Sequence, residues 1–314
     1  MKPVKIILDT DMGGDCDDTG ALAVLHALAD RGECELLAVT HCFHGRQYAG
    51  CIDAINRFFG RPDLPVAACM DEQADQGNDV YATWASQRYP NRFQQGERVE
   101  DTLPCLRRTL AEAEEGEVTL VAIGSLYSLR RLLESKADPF STLSDKELIQ
   151  AKVAQTVVMG GRFHHQWPEP ILFPDGYVMD AEFNIKADIP SAQVVCAQWP
   201  GKLVFCSYEI GYPLITGRDL QRKAGEEHPV AACYRHWHEQ VHVPGEGRES
   251  WDLTTVLYAV RPKSGLWKLS PAGSVSVDER GVTRFTEKAD GRHFYLLENA
   301  DASVVCRTID SLLE

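Results

Sequence analysis

The chain has no run of about 18 uninterrupted apolar residues, the length a helix needs to cross a bilayer, so no membrane span is expected. It also lacks a basic excess: 46 Asp and Glu stand against 32 Lys and Arg, giving a formal charge of -14. A nucleic-acid backbone and an anionic lipid surface would both be repelled by such an average surface, which excludes them as expected partners and favours a small, neutral or metal-bridged ligand. Among ten cysteines there is no CxxC pair and no regular spacing. Several, such as Cys196 and Cys206, sit in apolar runs where a thiol behaves as a small hydrophobe, and none belongs to a nucleophile motif with a His partner. A reducing cytosol suits that pattern. The opening MKPVKIILDTD enters a strand at once, with no charged leader, apolar core and cleavage site, so no signal peptide and a cytoplasmic location are expected. Internal repeats and low-complexity tracts are lacking too. The polar stretch 71–79 is too short for a domain linker and reads as a surface loop that could overhang the sheet.

What is present is a 314-residue chain, 44% hydrophobic, long enough to bury a large core as a single domain over residues 1–314. Short β-like runs at 4–8, 35–40, 65–68, 118–123, 154–159 and 202–206 alternate with helical periodicity at 21–29, 52–59, 106–113 and 126–133. That alternation predicts an α/β fold: a mainly parallel open sheet with helices on both faces and right-handed crossovers. Beyond Cys206 a polar region carries His228, His236, His238 and His242 and the glycine-rich VPGEGRE, which reads as a lid or specificity insert. The tail 267–297 alternates in the β manner and predicts a small antiparallel appendage before a final helix.

The most informative segment is DTDMGGDCDD, where Asp9, Asp11, Asp15, Asp17 and Asp18 crowd ten residues directly after an apolar strand. The helix that follows places this loop at the strand's carboxyl edge, where open α/β sheets put their ligands. One or two carboxylates satisfy a helix cap. Five repel one another by on the order of 1–4 kcal/mol per pair at realistic dielectrics, and a divalent ion would reverse that sign. The loop therefore reads as an oxygen-ligated metal site.

These residues resemble the calcium-dependent nucleoside hydrolases, the inosine-uridine preferring nucleoside N-ribohydrolases. DTDMGGDCDDTGAL is similar to that family's acidic signature, with two residues more than its shortest form between Asp11 and the Asp17-Asp18 pair. VAIGSLYSL at 121–129, MGG at 159–161, AEFNIKAD at 181–188 and SWDLTTVLYAV at 250–260 resemble further family blocks in the family's order. The resemblance implies a nucleoside hydrolase fold with a Rossmann-like core, and Ca²⁺ held by Asp11, Asp18, Asp252 and the main-chain carbonyl of Tyr127, the hard oxygen set that calcium prefers. It implies that Asp11 acts as general base toward a water attacking the anomeric carbon. It makes Asp17, Glu182 and Asn184 ribose contacts, with Phe183 and Ile185 anchoring that pair toward the core. Asp9 is expected to orient the loop through backbone amides, while Asp15 lies in the two-residue extension. Relatives are commonly dimers or tetramers, which implies a homo-oligomer.

Three positions depart from the family pattern. Trp251 stands where the family has the His that protonates the departing base, Arg46 replaces an asparagine after Gly45, and Gly176 replaces another before Glu182. An indole does not donate a proton at neutral pH. Either Trp251 or Trp167 stacks on an aromatic base and raises its basicity, or a loop histidine serves as acid. His164 and His165 are the first choice, with His44 and His242 behind them. The expected function is hydrolysis of a ribonucleoside or related riboside. The alternative is a sugar- or nucleoside-binding protein that keeps the metal and ribose pocket with little catalysis. A phosphatase reading of the DTD is weak, because Gly13 stands where that pattern wants Thr or Val.

Overall fold

The strand Val4–Thr10 begins with a run of β-branched and aliphatic residues, and Ile6, Ile7 and Leu8 are all fully buried. A strand buried on both faces belongs in the middle of a parallel sheet, and this one pairs in parallel with Cys34–His44 on one side and Val118–Ala122 on the other. This computed structural model describes residues 2–163, 171–172, 178–179, 181–243 and 245–314.

Among the described residues, eleven strands form one sheet. Its order runs Thr283–Glu287, Gly273–Val277, His293–Glu298, Leu203–Cys206, Val153–Met159, Val118–Ala122, Val4–Thr10, Cys34–His44, Val66–Cys69 and Glu100–Asp101, with Trp267–Leu269 pairing on His293–Glu298. The pairings from Leu203–Cys206 through to Glu100–Asp101 are all parallel. The six expected strands are present with boundaries within a few residues. The tail does form antiparallel strands, and they extend the main sheet: His293–Glu298 adds in parallel to Leu203–Cys206, and the antiparallel hairpin 273–287 follows at the edge.

Two apolar layers fill the faces. One holds the helix Asp17–Asp30 against Trp251–Val260 and the C-terminal helix Ala302–Leu313. The other holds Thr102–Glu112, Tyr127–Leu133 and Ile189–Gln198. The contact between Asp17–Asp30 and Trp251–Val260 is tight enough to require Gly20, where a Cβ would lie 2.4 Å from the Tyr234 hydroxyl and 3.1 Å from Leu253. This packing matters for function because each helix carries an expected site aspartate in its first turn. Parallel strands deliver their carboxyl ends to one edge, so the loops after Thr10, Ala122, Met159 and Cys206 open together. The chain winds away from Val4–Thr10 in both directions, which puts a ligand crevice at its end. No described helix is long and apolar enough to cross a membrane.

Candidate active site

Asp17 and Asp18 open the helix that follows the acidic loop, and Asp252 opens the helix packed against it. One carboxylate oxygen from each lies within 4.8 Å of the others, and all three residues are buried. The Asp252 amide donates to Asp17 Oδ2 at 3.2 Å, which fastens the two helix starts together. Burial, then the charge of neighbouring aspartates, holds all three carboxyls well above the usual range. Buried carboxylates this close are costly unless a cation or protons neutralise them. An oxygen-only donor set fits a hard dication, and no Cys or His joins the cluster among the described residues.

Asp11 stands beside this trio, partly exposed and outside the 4.8 Å group. Burial pushes its carboxyl up to about 7, and the charges of Glu182, Asp15 and Asp9 add to the effect. The loop after Ala122 presses against it: a Cβ on Gly124 would lie 2.8 Å from Asp11 Cβ and 2.9 Å from its amide nitrogen. Thr10 props the loop from below, its hydroxyl donating to Asp18 and accepting the Met12 amide at 3.1 Å. Asp9 does not work through backbone amides as expected. It accepts the Thr40 hydroxyl at 2.6 Å, tying two strands together, because its side chain points across the sheet rather than along the loop. Burial raises the Asp9 carboxyl to about 7.

Glu182 is buried and accepts amides from Gly161, Asn184 and Ile185 at 3.0, 2.9 and 3.1 Å, capping the helix Phe183–Ala187 while lying near enough to Asp11 to raise it. Burial pushes Glu182 up to about 7 against those three bonds. Asn184 donates to the carbonyls of Ile123 and Met159 at 3.0 and 3.2 Å, so it bridges two strand ends at the crevice. Ile185 is fully buried and anchors this segment, but Phe183 is 51% exposed and does not, since it points away from the layer that Ile185 enters. Tyr127 begins the helix Tyr127–Leu133, and its hydroxyl donates to Asp71 at 2.8 Å. The loop 71–79 does overhang the strand ends: the His44 amide donates to the Asp75 carbonyl, and the amide of Val80, which follows the loop, donates to that of Gly13.

Trp251 is half-buried, with its indole N–H donated to the Tyr208 carbonyl at 2.9 Å and its ring stacked on Tyr208. That bond commits the one proton the indole carries. His44 bonds the Asp71 carbonyl at 3.1 Å, and His242 ends the helix Pro229–Val241 in a left-handed conformation. Arg46 donates to the Phe93 carbonyl and lines a separate cavity of about 390 Å³ with Met70, Arg98 and Asp101. His164, His165, Trp167 and Gly176 lie outside the described residues.

Sequence reasoning missed three residues at this site. Arg248 pairs with Asp15, Trp237 donates its indole N–H to the Gly14 carbonyl at 2.9 Å, and buried His41 stacks on Tyr48 at 4.0 Å with Nε2 3.2 Å from the Met12 carbonyl. Burial pushes His41 down to about 4, so it stays neutral and donates to that carbonyl while Nδ1 accepts the Phe43 amide. The available signals were the position of His41 at a strand's carboxyl end and the single arginine in VPGEGRE.

A profile of the inosine-uridine preferring nucleoside hydrolase family matches residues 6–311. Among solved structures, the chain is similar to an inosine-uridine preferring nucleoside hydrolase from Bacillus anthracis, with TM-score 0.69 and 20% identity over 99% of both chains. It is also similar to an inosine-guanosine nucleoside hydrolase, with TM-score 0.73 and 18% identity over 98% of both. A purine-preferring ribonucleoside hydrolase from Gardnerella vaginalis gives 0.72 and 17% over 98% of both. At these identities the structural likeness is one of fold. No curated protein sequence matches. The match over nearly the whole chain settles the family: this protein is a divergent member of the inosine-uridine preferring nucleoside hydrolases.

Proposed function

We propose that the whole chain, residues 1–314, hydrolyses the N-glycosidic bond of a ribonucleoside or related riboside in a Ca²⁺-dependent reaction. The observation that carries this reading is the convergence of Asp17 and Asp18 from one end of the chain with Asp252 from the other, beside a partly exposed Asp11. Asp11, Asp18, Asp252 and the Tyr127 carbonyl would hold the ion, with Asp17 standing among them. A bound dication would supply Lewis acidity toward a water and a fixed point for the sugar's cis-diol.

The chain's own groups do the rest. Asp11, partly exposed beside the trio, would take the proton of the attacking water. Asp17, Glu182 and Asn184 would contact the ribose hydroxyls. The surrounding carboxylates favour positive charge developing on the sugar ring. Either Trp251 or Trp167 would stack on an aromatic base and raise its basicity, or His164 or His165 would protonate it, since an indole does not serve as an acid at neutral pH. Purine and pyrimidine salvage in the cytoplasm, by a homo-oligomer, is the setting this reading implies.

A panel of purine and pyrimidine nucleosides and other ribosides, assayed for reducing sugar with and without Ca²⁺, tests the proposal. Calcium-dependent release of free base from one class is the expected result. Tight ribose binding with no hydrolysis of any panel member would replace the enzyme reading with that of a binding protein.

A further inference from the structure

The extended acidic loop is held in an unusual way. Each of four consecutive carbonyls takes a donor from a different part of the chain: His41 Nε2 on Met12 at 3.2 Å, the Val80 amide on Gly13 at 2.8 Å, the Trp237 indole on Gly14 at 2.9 Å and the Tyr81 hydroxyl on Asp15 at 2.7 Å. The Asp15 side chain then grips Arg248, with Nε on Oδ1 at 2.8 Å and Nη2 on Oδ2 at 2.6 Å. Nη1 of Arg248 goes to Glu249 at 2.5 Å. Its guanidinium carbon lies 4.5 Å from the Trp237 ring centroid and 5.0 Å from that of Trp251.

Two carboxylates already neutralise Arg248, so it is not poised as a receptor for a substrate anion. Nor is it needed to assemble the trio Asp17, Asp18 and Asp252, which the two packed helices bring together. What the guanidinium does is lie against two indoles while its fork is held on Asp15, a task that suits arginine and not lysine. The Trp251 ring lies 5.0 Å from the Arg248 guanidinium, which is bound to Asp15 two residues before Asp17, so the indole stands on the acidic-loop side of the carboxylate cluster.

We propose that Asp15 and Arg248 are a positioning pair that fixes Trp251 as the wall against which an aromatic aglycone is held. The two-residue extension of the acidic loop is thereby a specificity element for ribosides with flat aromatic leaving groups. This rests on the ribosidase reading for the sugar, but its own test needs no turnover.

Binding of adenine alone and of D-ribose alone is measured by calorimetry on the full chain with calcium present. Asp15→Asn and Arg248→Met should each weaken adenine about tenfold, the scale of one desolvated cation–π contact, and leave ribose within about twofold. Arg248→Lys should behave like Arg248→Met, and the double variant should bind adenine no worse than either single one. Parallel loss of adenine and ribose, full rescue by lysine, multiplying effects, or no adenine binding by the unaltered protein would each overturn the proposal. If the Asp15 and Arg248 variants fail to fold, Trp251→Leu serves instead: it must weaken adenine and spare ribose, and equal effects on both overturn the proposal. Dependence of adenine affinity on Arg248 without hydrolysis of any riboside would sink the hydrolase reading alone. Hydrolysis with an unchanged adenine-to-ribose affinity ratio would sink this one alone.

Discussion

Calcium and protons should compete for the same buried carboxylates, and that competition is measurable as stability. Asp17, Asp18 and Asp252 are all raised by burial, and Asp11 and Glu182 reach about 7. In the metal-free protein a group with a raised folded pKa contributes stability that is full below its unfolded value near 4 and is lost as pH climbs through the folded value. For Asp11 alone, a rise of about 3 units corresponds to at most about 4 kcal/mol across that window, and coupling among the carboxylates keeps the contributions from simply adding. Calcium needs the deprotonated forms, so its affinity and its stabilisation grow as pH rises. At a free concentration a thousandfold above its dissociation constant the ion adds about 4 kcal/mol. At roughly 2 °C per kcal/mol for a chain of this size, the melting midpoint should rise by about 8 °C. Thermal melts with calcium or with a calcium chelator at about pH 8 and about pH 5 provide the assay, with the larger calcium shift expected at the higher pH. A midpoint indifferent to calcium, or a shift larger in acid, would refute the assignment of these carboxylates to a cation site.

Asp11→Asn keeps the shape of the side chain and removes the base, so turnover should fall by about 10²–10⁴-fold while the fold survives; unchanged kcat would remove Asp11 from catalysis. Gly124→Ala places a methyl 2.8 Å from Asp11 Cβ and 2.9 Å from Cys42 Sγ, and should cost about 1–3 kcal/mol of stability by denaturant titration together with roughly 10²-fold in kcat/KM as Asp11 shifts. Wild-type activity in that variant would show that the approach relaxes freely. His26 and His293 are both pushed down to about 4 by burial, and His26 sits between the Asn56 amide oxygen and Arg61. Neither imidazole should titrate between about pH 7.5 and 5.5 in NMR spectra, and the stability they contribute is lost as pH falls from about 6.5 to about 4; a midpoint near 6.5 would mean hydrated rings.

The parts of this fold legible in the sequence are those whose cause is local. Ile6, Ile7 and Leu8 read as a central strand because a strand covered on both faces has no polar side to alternate with. The acidic loop read as a cation site because its repulsion is intrinsic to ten contiguous residues. The two-residue strand Glu100–Asp101 carries too little pattern to be found, and it is placed by pairing with Val66–Cys69. Phe183 was misjudged because adjacency to a buried residue says nothing about which way a short helix turns its own side chain, and here Ile185 takes the buried side alone.

Arg248 marks the limit more sharply. It binds a partner 233 residues away, and its own segment offers only a lone arginine after a glycine, with nothing to name that partner. Its role follows only once Asp17–Asp30 lies against Trp251–Val260, a contact that depends on Gly20 having no side chain beneath Tyr234 and Leu253. The same contact brings Asp252 to Asp17, so one helix pairing assembles the carboxylate cluster and also sets the helix start that carries Trp251. The proposed cation site and the proposed aglycone wall should therefore respond together to a disturbance of that pairing, whereas a change at Asp15 or Arg248, which lie outside the group of Asp17, Asp18 and Asp252, should reach Trp251 and leave the three carboxylates together.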